Sequence, residues 1–121
     1  MTTAALYQAY KQKMQRLADV RYAHAVLQWD QETYLPPKGA ALRGQQLGTL
    51  SELAHELFSD EALGNLLQEL LTKDDLSGEE KRNVVLSWDD YSKNKKYTSN
   101  FVRRLSDQTA KAFHAWILAR K

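Results

Sequence analysis

Cysteine is absent from the 121 residues, which excludes a disulfide framework and any thiolate metal site and suits a reducing compartment. The N-terminus lacks the uninterrupted apolar core of a secretory signal. No apolar run approaches the roughly 20 residues of a membrane-spanning helix. Charge of one sign is scarce: 17 Lys and Arg stand against 15 Asp and Glu, a formal net charge of +2. That balance favours neither nucleic acid nor an acidic membrane as a partner. A soluble, cytoplasmic protein is the expectation. Glycine occurs five times and never in a cluster that would cradle phosphate. Gly44 and Gly48 fall inside a helical pattern, where they favour close packing. Strand-like alternation, internal repeats and low-complexity tracts are also missing. Proline occurs only twice, at the adjacent positions Pro36 and Pro37.

What remains is helical spacing over most of the chain. From about Thr3 to Gln28, Leu6, Tyr10, Met14, Leu17, Val20, His24 and Leu27 recur at steps of three and four, so they share one face. Lys11, Arg16 and Asp19 project elsewhere. A helix of that length spans about 35–40 Å and needs neighbours to support it. A second helix is expected from Lys38 to Phe58, with Leu47, Leu50, Leu53, Ala54 and Leu57 on its apolar face and Phe58 at the edge. Ser59-Asp60-Glu61, a short oxygen-bearing cap followed by acids, starts a third that runs from about Asp60 to Leu71 and carries Leu63, Leu66, Leu67, Leu70 and Leu71. Ser77 and Glu80 have capping-box spacing and open a fourth, with Val84, Val85, Trp88 and Tyr91 facing inward. Beyond the polar turn Tyr97–Asn100, a fifth helix puts Phe101, Val102, Leu105, Thr109, Ala112, Phe113 and Trp116 on one side. No stop signal precedes Lys121, so this helix is expected to continue to the last residue as though cut in mid-course. The fold class is all-α: about five helices in an antiparallel bundle, joined by short turns.

Between the first two helices lies Trp29-Asp30-Gln31-Glu32-Thr33-Tyr34-Leu35-Pro36-Pro37-Lys38-Gly39. Proline breaks a helix and forces the residue before it toward extended backbone. All eleven residues are therefore expected to form a non-helical corner. Polar residues on a rigid loop are where ligands are often met. An equally available structural part has Trp29 and Tyr34 plugging the corner into the core, with Asp30 and Glu32 capping helix ends.

Catalytic machinery is sparse. His24 lies within the apolar stripe of the first helix, as a hydrogen-bonded core histidine would. His55-Glu56 begins like a zinc-binding HExxH motif, but Ser59 stands where the second histidine belongs. His114 falls opposite Leu105, among Arg103, Asp107 and Lys111, on what reads as a solvated face. Ser51, Ser87, Ser92 and Ser106 have no histidine at a suggestive spacing. Lys93, Lys95 and Lys96 beside Tyr91 and Tyr97 make a weak nucleic-acid patch, because Asp89 and Asp90 adjoin it. On residues alone the chain has no catalytic and no metal-binding set.

The Trp29–Gly39 run resembles the N-terminal signature of the carboxypeptidase Taq family of zinc metallocarboxypeptidases. The likeness continues through Arg43, Gln46, Leu47, Ala54–Phe58, Asp89-Asp90-Tyr91, Phe101-Val102 and Ala112–Trp116. Leu35 and Lys38 depart from it, where methionine and small residues are usual. The resemblance implies a mostly helical, cytoplasmic, often dimeric enzyme that removes C-terminal residues from peptides. It also implies zinc, or a similar divalent metal, held by a HExxH motif and a further glutamate; none of these has a matching position here. Residues 1–121 are then the N-terminal helical, groove-wall domain, with a catalytic zinc domain and its peptide substrates as partners. Trp29, Asp30, Gln31, Glu32 and Tyr34 would touch the groove or brace the helices that line it. A free-standing helical interaction module with an apolar groove is the alternative reading.

Overall fold

The computed structural model describes residues 1–120. It contains five α-helices, α1 (Thr3–Thr33), α2 (Ala40–Phe58), α3 (Glu61–Leu71), α4 (Gly78–Asn94) and α5 (Ser99–Arg120), with a 3-10 turn at Pro37–Gly39. No strand occurs among the described residues, and the fold is all-α, as expected. The expectation that α5 is still helical at Lys121 falls outside the described residues.

The helices gather into two compact units, one formed by Met1–Ala18 with Glu56–Lys96 and the other by Asp19–His55 with Tyr97–Lys121. The first unit is a closed apolar core. Leu6, Leu17, Leu63, Leu67, Leu70 and Val84 are its fully buried side chains, each contributing about 2 kcal/mol by leaving water. Tyr10 reaches Ser87 at 2.6 Å, so its hydroxyl is not stranded in that core. Burial raises the Tyr10 pKa, while the bond to Ser87 opposes the shift. The Tyr91 ring meets Phe58 edge-on at 6.2 Å, and Gly64 leaves room for it, because a Cβ there would collide with the Tyr91 hydroxyl and ring. The Ser77–Glu80 capping box forms as its spacing suggests, whereas the cap of α3 is Asp60, one residue beyond Ser59. Asp60 accepts from the Ala62 amide at 3.3 Å, and the Lys13 ammonium that bonds it holds its carboxyl below the usual range. Ser77 and Glu80 exchange bonds of 3.0 and 3.1 Å.

One detail of α4 differs. Val85 is exposed and Ser87 buried in its place. Val84, Ser87 and Tyr91 are three and four apart, and the Tyr10 hydroxyl offers Ser87 a partner that valine could not use.

In the second unit the contact between α2 and α5 is made by small residues. A Cβ on Gly44 would lie 3.4 Å from Ala110 Cβ, and one on Gly48 would lie 2.6 Å from Asp107 Oδ1. This close approach corrects the expected face of α5. Ala110 is its buried residue, whereas Phe101, Leu105 and Trp116 are 48%, 57% and 55% exposed. Hydrophobic size picked one side of α5; the backbone approach selects the side with small side chains. His114, Arg103 and Asp107 are consequently half-buried rather than solvated. Leu53, expected on the apolar face of α2, is 40% exposed, while His55 is buried and its Nε2 donates to the Tyr97 carbonyl at 2.6 Å. The broken zinc motif thus yields a histidine that ties the α4–α5 turn to α2.

Candidate functional site

The proline corner is narrower than the sequence predicts. α1 continues through Trp29, Asp30, Gln31, Glu32 and Thr33, and only residues 34–36 separate it from the 3-10 turn. The reason is local. Pro36 denies amide protons only to the carbonyls before it and disfavours helix only at Leu35. The amides of Tyr34 and Leu35 both still reach the Asp30 carbonyl, at 2.9 and 3.0 Å. Pro37 then sits at the start of the next turn, where its missing amide costs nothing.

Trp29, Asp30, Gln31 and Glu32 are helical and Tyr34 lies just beyond the helix end, so the five candidate residues point in different directions. Asp30 turns toward α2 and accepts from Arg43 at 2.8 Å. The same Arg43 nitrogen donates to the Leu27 carbonyl at 2.9 Å, and Arg43 Nε holds Gln46 at 3.0 Å. Arg43 therefore clamps the end of α1 to the start of α2, and Asp30 is part of that brace. Trp29 and Tyr34 pack edge to face at 5.5 Å but remain 56% and 75% exposed, so neither plugs a core.

Gln31 and Glu32 look the other way, into a groove of about 390 Å³ within the second unit. His24, Gln28, Gln31 and Glu32 of α1 form one wall, Val102, Ser106, Thr109 and Phe113 of α5 stand opposite, and Leu47 and Ser51 of α2 contribute from a third side. His24, Gln28 and Gln31 are spaced by four and three, so they continue the face that Leu6, Tyr10 and Leu17 occupy earlier in the helix. One stripe is thus apolar in its first half and polar in its second. The spacing of Gln28 with Gln31 was a readable signal, but a search for apolar periodicity does not register amides.

At one end of the groove Ser51 lies 3.1 Å from His24 Nε2 and 3.3 Å from Ser106. Folding thus joins a serine and a histidine 27 residues apart, which their spacing in sequence did not suggest. A hydroxyl has one hydrogen. Ser51 meets both partners with that one hydrogen, and which group donates to which follows from the imidazole tautomer. Burial lowers the pKa of His24, which keeps the ring neutral near pH 7. The trio is a polar anchor, without the orienting acid that activates a serine nucleophile.

Metal binding needs several convergent donors. Among the described residues no three His, Asp or Glu side chains converge to hold an ion. Nor is any described helix long and apolar enough to cross a membrane.

The groove offers amides, hydroxyls and a carboxylate along an apolar base, in a chain whose sequence matches a known family. A family model described as carboxypeptidase Taq (M32) metallopeptidase covers residues 9–121. The chain belongs to this family. It is 30% identical over 105 residues to thermostable carboxypeptidase 1 of Pyrococcus furiosus, a match covering 86% of this chain and 21% of that protein. Thermostable carboxypeptidase 1 of Thermus thermophilus is 32% identical over 81 residues, or 64% of this chain and 16% of the relative. Carboxypeptidase 1 of Bacillus subtilis is 28% identical over 104 residues, 85% of this chain and 21% of the relative. The chain therefore spans about a fifth of the length of the M32 relatives it matches. A solved structure described as the structure of CHT superposes with a TM-score of 0.76 at 57% identity, covering 96% of this chain and 24% of that one.

Proposed function

We propose that residues 1–121 are the N-terminal helical domain of a cytoplasmic zinc carboxypeptidase, and that the α1–α5 groove is part of the surface against which its peptide substrate lies. The observation that carries this reading is the row Gln28, Gln31 and Glu32 facing Ser106 and Thr109 across the groove. An extended peptide exposes amide donors and carbonyl acceptors in alternation, and a glutamine side chain can satisfy both. Val102, Leu105 and Phe113 supply apolar surface for its side chains. The catalytic metal, zinc or a similar divalent ion, would be held by residues outside this chain. Family membership supports metal-dependent hydrolysis in the whole protein, and this chain contributes shape and hydrogen bonding. Asp30 and Arg43 brace the groove wall by joining α1 to α2.

The test uses the full-length enzyme that carries this region. Gln31→Ala and Glu32→Ala remove contacts present equally in bound substrate and transition state, so KM rises roughly three- to tenfold with kcat nearly unchanged. Unaltered KM in both variants would show that the groove does not meet substrate. The 121-residue chain by itself is expected neither to retain stoichiometric zinc through purification nor to hydrolyse a blocked dipeptide.

A further inference from the structure

The first unit carries a groove of its own, of about 230 Å³, between α3 and α4. Glu61, Asn65 and Gln68 are spaced by four and three along α3 and form one wall. Trp88, Tyr91 and Lys95, spaced by three and four along α4 and its cap, form the other. Gly64 leaves the floor open between them, because a side chain there would fill the space that the Tyr91 ring occupies.

Tyr91 is 3% exposed, and its ring is well held. Trp88 stacks on it at 5.6 Å and 22°, Phe58 meets it edge-on, and Lys95 Nζ lies 5.7 Å from its centroid. Its hydroxyl is not held. Among the described residues no partner bonds this oxygen, and no side-chain oxygen is sealed from solvent without a partner. The Tyr91 hydroxyl therefore opens into the groove it lines. A core tyrosine ordinarily finds its partner within the fold, as Tyr10 does with Ser87 at 2.6 Å. At Tyr91 the partner has to enter through the groove.

The groups around this opening set the character of what enters. Glu61 and Lys95 offset each other, so the lining has no net charge and favours a neutral ligand. Asn65, Gln68 and the Tyr91 hydroxyl each donate and accept, and the α3 arms are spread along about 10 Å of helix. That spread suits hydroxyls radiating from a compact ring rather than the single edge of a flat base. Trp88, half-buried, offers the negative face of its indole to polarised C–H groups. We infer a binding site for a neutral pyranose sugar, its C–H face on Trp88 and its hydroxyls shared among Asn65, Gln68, Glu61 and Tyr91. An all-equatorial ring matches best, because its C–H bonds cover both faces while its hydroxyls lie around the rim. The site uses no residue of the α1–α5 groove, and the inference does not depend on that groove's role.

Methyl β-D-glucopyranoside serves as the probe, titrated into the chain while backbone amide and indole shifts are followed. It should move Gly64, Asn65, Gln68 and the Trp88 indole, leave Gly44 and Ala110 unmoved, and saturate below roughly 20 mM. Absence of saturation would overturn the site. Tyr91→Phe keeps the ring and removes the hydroxyl, so binding should weaken at least fivefold while the thermal midpoint stays unchanged. Retained affinity would overturn the hydroxyl's part in binding, and a lowered midpoint would show that its partner lies within the fold. An N65A/Q68A double variant, altered only at exposed positions and checked for unchanged helicity, should bind at least tenfold more weakly; equal binding would overturn the α3 wall. The methyl β-galactoside, with one hydroxyl axial, should bind at least threefold more weakly, and equal binding would overturn the all-equatorial match. Cyclohexanol, adenine and glycine should each bind at least fivefold more weakly than the glucoside. Equal binding of the first would overturn the hydroxyl contacts, of the second the choice of a sugar over a base, and of the third the neutrality of the ligand. Hydrolysis of peptides enters none of these measurements, so the proposed peptidase role stands or falls separately.

Discussion

The two units divide α1 and α2 between them and differ sharply in how they use apolar residues. In Met1–Ala18 with Glu56–Lys96, nine large hydrophobic residues are buried, Leu6, Tyr10, Leu17, Phe58, Leu63, Leu67, Leu70, Val84 and Tyr91, although Val85 and Leu86 are exposed. In Asp19–His55 with Tyr97–Lys121, Leu47 and Ala110 are the buried hydrophobic residues, while Tyr22, Val26, Trp29, Phe101, Leu105 and Trp116 are exposed. The first unit is organised around a core, and the second around surfaces. A close glycine–alanine helix contact needs little side-chain volume, which frees larger residues to stand outward and leaves a groove beside α5.

The contrast can be broken most directly in the core. Leu67→Ala, at a position with no exposure, should cost about 3 kcal/mol by chemical denaturation. The exposed Leu105→Ala should change stability by less than about 0.5 kcal/mol. Similar losses at both positions would erase the distinction between the units.

The glycines sharpen it. Gly64→Ala drives a methyl group into the enclosed Tyr91 ring and should cost about 2 kcal/mol. Gly48→Ala meets the Asp107 carboxylate, the end of a flexible side chain that can turn away. The roughly 1 kcal/mol that alanine gains over glycine in a helix then makes that change close to neutral.

A smaller effect is expected at the α1–α2 brace. Arg43→Ala frees the Asp30 carboxylate and the Leu27 carbonyl, for a loss of about 1.5 kcal/mol. Hydrogen exchange should quicken across residues 27–46 and stay unchanged in α3 and α4. Uniform acceleration would mean that the two units open together.

The smallest effect concerns pH. His24 has a folded pKa below its unfolded value of about 6.5, so the unfolded chain binds its proton first. Stability is whole above pH 6.5 and falls as pH drops through the folded pKa. His24→Gln should flatten the profile in that window. Tyr10, shifted upward by burial, acts in the reverse sense. Its contribution is whole below about pH 10 and is lost as pH rises through the higher folded pKa.

Much of this was legible in the letters. Leu6, Tyr10 and Leu17 and the Ser77–Glu80 box are local patterns, and each is realised as read, while the cap of α3 falls one residue later, at Asp60. The Trp29–Gly39 run also disclosed the family. The extent of the corner was misread because a proline's influence reaches only a few residues back along a helix. The face of α5 was misread because periodicity weighs size, whereas this helix docks by its small residues. Of the candidate site, Gln31 and Glu32 do face a groove, Asp30 serves a brace, and Trp29 and Tyr34 stand in solvent. His24 and Ser51 escaped notice as a pair because only folding brings them together.

The sequence by itself determined that this chain is helical, roughly where each helix begins, and to which family it belongs, since spacing, caps and signature residues act over a few positions. Tertiary structure alone decided which face of α5 is inside, which half of the molecule keeps its large residues out of water, and which polar groups share a groove. Those outcomes depend on how near two backbones can come, and a pair of glycines sets that distance only once another helix lies across them.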